Sequence, residues 1–502
     1  MTNIDSLNIV FTEAKNGEKN ICVNNIFLHS TYNPSSESTR FADSIKISYN
    51  PKVLIIFEPG FDYLYPLLKN KFPGCKIGKI SVIKELNNDK WDFCFNYSSI
   101  EHFTDYLKSK FSEEELLSTI LLNWPSALKL FPDEAASVAL RYKQAMEYAK
   151  TVLVTRQYFE KKWFLNSLNF FKYLNSYADF SKNKLNCPVI ITASGPSLTE
   201  ALPLLQKYNE NCFIIALSSS LSVLYKNNIV PDLILSTDGG YYAAQHLKKT
   251  VKYTDIPLGL TTEAFCQKST LHQNIILPLF YNDSPFLEII KESKIPFYEV
   301  QRNGTISGTA LKFAQKLTDS NIYFCGLDLI EQKGFQHTQP NELELNSCKI
   351  YNKLQTSELK NFRSSLPNIS LKIYADWFAS QSDCSNVFRI IEEKRRKNSL
   401  NKISDIHCSD FELALKKLRK TDKNIFEIKK ISRDQRILIN NLLKDFYKNN
   451  LKDNTKLSSQ LFPIDNLSIF HATNEDSRIQ ADNLLKSKLN ELLIKAGKII
   501  ND

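Results

Sequence analysis

Between residue 185 and about residue 385, short apolar runs alternate with amphipathic segments. This rhythm constrains the fold more than any other feature of the chain. The runs are "PVIITAS", "CFIIAL", "LILSTDGG", "LGLTT", "NIILPLF", "NIYFCGLDL" and "ISLKIYA". Between them lie "SLSVLYKNN", "SPFLEIIKES" and "SGTALKFAQKL", whose apolar residues recur at helical spacing. Strands that read as nearly continuous apolar runs, separated by helices, belong to a doubly wound α/β domain with a parallel sheet. Ligands of such sheets sit beyond the carboxyl ends of the strands, so the residues that close each run are the ones to inspect.

Two further regions flank this core. Residues 1–150 mix the strand-like "NICVNNIFLHS", "VLIIFEPG" and "KWDFCFNY" with helical stretches such as "EEELLSTILLNW", which predicts a second α/β unit. From about Ala135 to Phe180 no Gly or Pro interrupts the helical pattern, so a long helix or helix pair is expected as a linker reaching about residue 184. From about 386 to 502 the segments "NVFRIIEEKRRKN", "SDFELALKKLRK" and "DQRILINNLLKDFYKN" read as amphipathic helices, predicting a C-terminal helical domain. "SDFE" has the pattern of a capping box.

With 502 residues, two or three domains are expected. The composition is 43% apolar and 24% charged, that of a globular protein, and no run is long enough to span a membrane. "MTNIDSLNIVFTEAK" lacks the basic start and apolar core of a secretory signal, so a cytoplasmic location is expected. The ten cysteines are scattered, form no CxxC pair and fall partly in apolar runs, which argues against disulfides and zinc. The net charge of +10 comes without an arginine-rich tract or a nucleic-acid-binding signature, so no nucleic-acid partner is expected.

Five strand ends carry candidate chemistry. In "TASGPSLTE" a strand stops at Ser194, Gly195 and Pro196 form a tight turn, and Ser197 with Glu200 opens a helix. Free amides and hydroxyls there suit an anion, and a plain strand-to-helix turn accounts for the same residues. Ser218 and Ser219 close "CFIIAL", as helix caps or as partners of a base or ribose. Asp238 and Gly239 close "LILSTDGG": the Asp can take a ribose hydroxyl or a metal, and an Asp-Gly turn is the alternative. Ser307, Gly308 and Thr309 begin a helix with little side-chain bulk, for an anionic ligand or for close helix packing. Asp328 ends "IYFCGLDL", and His337 follows in a polar loop, either solvated or placed to act as a general base.

Taken in order, "GPSL", the serine-rich strand end, "NNIVPDLILSTD" and "SGTALKFAQKLTDSNIYFCGLDL" resemble the motility-associated factor (Maf) family, and "LHSTYNPSSESTRF" resembles that family's amino-terminal domain. The likeness covers most of residues 20–385. It implies a central Rossmann-like, sialyltransferase-like domain between an N-terminal α/β domain and a C-terminal helical domain. It further implies transfer of a nonulosonic acid, pseudaminic or legionaminic acid, from a CMP-activated donor to Ser or Thr of flagellin. No tightly bound cofactor is implied. On this comparison Gly195, Pro196 and Ser197 line the donor phosphate and ribose, and Ser218 lies at the base-side strand end. Ser307 and Gly308 approach the cytidine or the donor carboxylate, and His337 takes the acceptor's proton.

The chain departs from the related sialyltransferases in three places. Ser194 and Ser218 stand where those enzymes carry Asn, and Ile330 stands where a tyrosine assists the leaving phosphate. Losing such a donor removes a stabiliser often worth about 3 kcal/mol. Tyr351, or a metal at Asp238, is the expected substitute. Two other functions fit parts of the pattern: a Mg-dependent hydroxymethylpterin diphosphokinase with Asp238 or Asp328 as ligands, and a flagellin-binding protein without catalysis.

Overall fold

The computed structural model describes residues 8–86, 88, 90–180, 184–248, 250–330, 335–348, 354, 369–392 and 399–501. These fall into two compact units, 1–160 with 455–491, and 161–454 with 492–502. The helices Pro132–Tyr173 and Glu475–Asn501 each run through a boundary between the units.

The first unit contains two sheets. β1 (Ile9–Glu13), β2 (Lys19–Val23) and β3 (Ile26–Phe27) form an antiparallel meander. β4 (Val53–Phe57), β5 (Lys76–Ser81), β6 (Phe93–Asn96) and β7 (Thr119–Asn123) form a parallel sheet in the order β6-β5-β4-β7. The expected N-terminal α/β arrangement is therefore present. Within "EEELLSTILLNW", however, only Glu113–Leu117 is helical, and Thr119–Asn123 is β7. A box of reciprocal bonds between Ser112 and Glu115 starts that helix, and its end at Ser118 frees the apolar run to pair with β4.

His29, in the loop after β3, is 2% exposed between Phe61, Tyr63 and Trp124. Its Nε2 accepts the Phe61 amide at 2.9 Å, and burial pushes its pKa down to about 4. The unfolded chain takes up this proton near pH 6.5, and the folded chain does so only near 4. The contribution is therefore full above about pH 6.5 and is lost as pH falls toward 4, by about 3 kcal/mol in all. Thermal unfolding of wild type and His29→Gln across this window is expected to show a steeper acid loss in the wild type.

The second unit is built on one large sheet. Its strands are β8 (Ser176–Phe180), β9 (Val189–Thr192), β10 (Phe213–Leu217), β11 (Leu233–Ser236), β12 (Leu258–Thr261), β13 (Ile275–Phe280), β14 (Tyr298–Glu299), β15 (Ile322–Cys325), β16 (Val387–Ile390), β17 (Ser404–Ile406) and β18 (Phe426–Lys430). The order is β17-β16-β15-β9-β10-β11-β12-β13-β8-β18, with β14 beside β13, and only the β18–β8 pairing is antiparallel. β9, β10, β11, β12 and β15 are buried at every position, which is why they read as unbroken apolar runs. From β9 the chain winds one way through β10 to β13, and β15 returns to the other side of β9. The sheet's switch point therefore lies between β9 and β15.

Three expectations are corrected. The linker helix ends at Tyr173, and residues 176–180 form β8, which pairs with β13. "ISLKIYA" is not a strand but the start of the helix Ile369–Ala379, which seats Phe378 at 0% exposure in the sheet's core. The region from 386 onward is not a separate helical domain. It supplies β16, β17 and β18 to the sheet, and residues 455–491 group with the first unit. "VFRII" satisfies helical and strand periodicity equally well, and Arg389 hides the choice because it looks solvent-facing. It is 0% exposed, held by Asp405 of β17 at 2.7 and 2.9 Å. Asp405→Ala removes both of these charged bonds from a buried guanidinium and is expected to cost about 3–5 kcal/mol in urea unfolding. A change below about 1 kcal/mol would mean that β17 does not close the sheet's margin.

Candidate functional site

The turn that follows β9 is shaped by β15. Gly195 donates its amide to the Gly326 carbonyl at 2.9 Å, and the Ser197 amide donates to Asp328 Oδ2 at 2.9 Å. Asp328, 3% exposed, thus meets the N-terminus of the helix Leu198–Tyr208, where an anion is favoured. This corrects the expected use of Ser197 as a cap reciprocated by Glu200: no side-chain cap forms there, and Ser197 Oγ is left buried without a partner. "SDFE" forms no box either, because the helix Cys408–Lys416 has His407 as its N-cap, two residues before Ser409. Gly195 is required by space. A Cβ there would lie 2.2 Å from Asp328 Oδ2 and 2.5 Å from the Gly326 oxygen.

The loop after β15 folds back onto the same turn. Thr338 donates its amide to the Ser194 carbonyl at 2.7 Å and its hydroxyl to the Gly195 carbonyl at 2.8 Å. Next to it, His337 Nδ1 lies 2.9 Å from Glu344 Oε1. A carboxylate only accepts, so Nδ1 carries a proton, and in the neutral ring Nε2 keeps its lone pair. The His337 side chain is 43% exposed. Gln336 and Gln339 also donate to Glu344, and Asn341 caps the helix Glu342–Cys348 that carries it. Glu342 on that helix accepts from Ser222 Oγ and lies 2.9 Å from His246 Nδ1, which tethers the loop to segments following β10 and β11. A histidine with one nitrogen fixed by a carboxylate and the other open is the geometry of an oriented general base.

Ser218 (7% exposed) and Ser219 lie at the end of β10, the strand beside β9. The neighbouring Ser220 ties the two strands together through Thr192 Oγ1 at 3.0 Å. Asp238 and Gly239 lie further along the edge, after β11. Asp238 is exposed and accepts the Gly240 amide at 2.7 Å, the turn alternative. Gly239 gives close approach to Trp163 rather than leaving open space for a ligand, since a Cβ there would lie 2.3 Å from the indole. Ser307, Gly308 and Thr309 are buried in the first turn of the helix Ile306–Leu317, with Thr305 as its cap. Gly308 admits Trp377 and Asn303, the packing alternative. Ile330 is half-buried, and Tyr351 lies outside the described residues. Among the described residues no three His, Cys, Asp or Glu side chains gather as a metal-ligand set, and Asp238 joins none.

The candidates thus share one edge of one sheet but form two groups. Ser194, Gly195, Pro196, Ser197, Asp328 and His337 surround the switch point. Asp238, Gly239, Ser307, Gly308 and Thr309 lie toward β11 and β13, with Ser218 and Ser219 between the groups. The second group centres on an arginine that sequence reasoning missed. Arg302 donates to Glu263 at 2.6 Å and Asp283 at 2.9 Å, and lies over the rings of Tyr281 (4.2 Å) and Trp163 (4.8 Å). The two carboxylates hold its pKa above the ordinary value against the cost of burial. Glu263 and Asp283 follow β12 and β13, so strand ends closed by "TTE" and "YND" were the available signal.

Buried polar atoms without partners occur in several parts of the described residues, and some of them lie on this edge. Ser197 Oγ, Ser236 Oγ, Thr261 Oγ1, Thr262 Oγ1, Asn303 Nδ2 and Asp328 Oδ1 are buried with no hydrogen bond. Each such group carries a desolvation cost of about 1–3 kcal/mol, and a polar ligand or ordered water would relieve it.

Comparison with known proteins agrees with this architecture. The family described as 6-hydroxymethylpterin diphosphokinase MptE-like matches residues 162–334. An uncharacterized protein of Treponema pallidum is 29% identical over 279 residues, covering 55% of this chain and 60% of that protein. The chain thus matches about 60% of its curated relative's length. Among solved structures, the Maf glycosyltransferase of Magnetospirillum magneticum AMB-1 superposes with a TM-score of 0.53 at 11% identity, over 98% of this chain and 89% of that one. The resemblance to Maf proteins therefore extends to the fold of nearly the whole chain. No helix among the described residues is long and apolar enough to cross a membrane.

Proposed function

We propose that the chain is a glycosyltransferase that moves a nonulosonic acid from a CMP-activated donor to Ser or Thr of flagellin, with chemistry at the β9–β15 switch point. The observation that carries this reading is the placement there of a glycine turn, unpartnered buried polar atoms and the His337–Glu344 pair. The fold likeness to a Maf glycosyltransferase supports it. The donor phosphate lies at the Gly195–Ser197 turn, and Ser218 and Ser219 are on the base side. Of the second group the exposed Asp238 faces the sugar or cytidine, with Ser307 and Thr309 buried behind it and Gly239 and Gly308 packed against Trp163 and Trp377. Asp328 holds the Ser197 amide and Gly326 the Gly195 amide, so the phosphate is met at this turn by the unpartnered Ser197 hydroxyl and not by free amides. His337 Nε2 accepts the hydroxyl proton of the acceptor as its oxygen attacks the anomeric carbon and the bond to CMP breaks. Glu344 holds the imidazole and stabilises its protonated form.

Incubating the protein with flagellin and CMP-pseudaminic or CMP-legionaminic acid, followed by intact-mass measurement, tests the reading. The expected result is a rise in flagellin mass by whole sugar residues together with CMP release. CMP release without a mass rise would replace transfer by hydrolysis. The matched family shares only its name with a second reading, in which the diphosphate of ATP passes to hydroxymethylpterin with Mg²⁺ and AMP is released.

A further inference from the structure

The three-stranded meander of the first unit ends in an open edge. Among the described residues β1 pairs only with β2, and no strand lies along its other side. Asn24 donates to the Asn8 carbonyl at 3.0 Å and Ala14 to the Glu18 carbonyl at 2.8 Å, one bond at each end of that pairing. Bonded and non-bonded residues alternate along an antiparallel ladder, so Val10 and Thr12 turn their amides and carbonyls toward β2. Those of Ile9, Phe11 and Glu13 point away from the sheet, in a row of donors and acceptors that no described strand meets.

Sheet edges are ordinarily guarded by charged side chains, above all lysine. The large sheet of the second unit follows this rule at β18, which carries Glu427, Lys429 and Lys430. β1 does not. It reads Ile-Val-Phe-Thr-Glu, with its only charge at the last residue. Val10 is 48% and Phe11 56% exposed. Val10 also begins an apolar row across the sheet, which continues through Cys22 to the exposed Phe27 on the face opposite the buried Ile21 and Val23.

The strand complements itself. Laid antiparallel on a second copy, its outward residues must meet outward residues, and the register centred on Phe11 uses all three. Phe11 then faces Phe11 of the copy, Ile9 faces Glu13, and Val10 faces Thr12. No like charges are opposed, and the row from Phe27 through Val10 runs on into the copy. An edge whose sole charge is one terminal Glu offers a charged segment of another protein little to select it by.

We propose that β1 is an interface between two copies of this chain, joined by antiparallel pairing of β1 with β1 across a two-fold axis at Phe11. The contact does not depend on the transferase reading. A strand of 5 residues is shorter than the roughly 20–30 residues a side of a stable interface, so the dimer is weak, with a Kd on the order of 100 µM. Sedimentation velocity of the full chain from about 10 to 500 µM is expected to show monomer giving way to dimer. Val10→Glu, a change at an exposed position, is expected to weaken dimerisation at least about tenfold.

Cross-linking reads the register. In Phe11→Cys the paired Cα atoms lie about 5.5 Å apart, within disulfide reach, and oxidation by copper phenanthroline is expected to link the copies. In Glu13→Cys the two Cα atoms lie about 14 Å apart and stay unlinked, as does the wild type with its native cysteines. A monomer at about 500 µM with no link at residue 11 overturns the proposal. So does a dimer that Val10→Glu leaves unchanged, or one that links at residue 13 as readily as at residue 11. Hydrogen exchange separates the other occupant: protection of the Ile9, Phe11 and Glu13 amides by added flagellin, and not by raised protein concentration, would assign the edge to another chain and overturn self-pairing.

Discussion

Replacing Gly195 with alanine is expected to lower transfer by about 100-fold, the effect of displacing a reacting group by about 1 Å. The new methyl would occupy a point 2.2 Å from Asp328 Oδ2 and 2.5 Å from the Gly326 carbonyl oxygen. Neither neighbour can yield freely. Gly326 has φ 81° and fits against Ala193, while Asp328 holds the Ser197 amide. The turns after β9 and β15 must therefore separate, which takes with them the Thr338 contacts that seat the His337 loop. Overpacking of this kind also destabilises by about 1–3 kcal/mol. Transfer kinetics and urea unfolding of the same variant measure both effects, and wild-type values in the two assays would remove Gly195 from the site.

The second large effect is expected from His337. His337→Ala should lower kcat by about 10²- to 10⁴-fold, the range for loss of a general base, while CMP affinity stays within about twofold. The side chain is nearly half exposed and bonds only within its own loop, so the fold has little to lose. Glu344→Gln offers a finer test. The amide still reaches Nδ1 but no longer stabilises the imidazolium, so a smaller loss of kcat with a shifted pH profile is expected. Full activity of His337→Ala would leave the transfer without this base.

Much of this architecture was legible in the sequence because its central strands are buried on both faces. Val189–Thr192, Phe213–Leu217 and Ile322–Cys325 have no exposed position, so nothing interrupts their apolar runs. The marginal strands left no such mark. Phe426–Lys430 is mostly exposed or half-buried, and Val387–Ile390 carries an arginine whose partner lies on the next strand. The site was legible as a set of strand ends but not as a set of contacts. Asp328 reads as a ligand residue until it is seen to cap the helix that begins near Ser197. Gly239 and Gly308 read as openings for a ligand until Trp163 and Trp377 are found against them. Arg302 was missed because Glu263 and Asp283 reach it from different strands, and only the folded sheet brings those ends together.

The crystal structure of the protein with CMP bound tests the central claim most directly. The account predicts the phosphate at the Gly195–Ser197 turn and the ribose or base toward Ser218, with at least one of Ser197 Oγ and Asn303 Nδ2 gaining a hydrogen bond. CMP bound away from this edge, with those atoms still unpartnered, would contradict it.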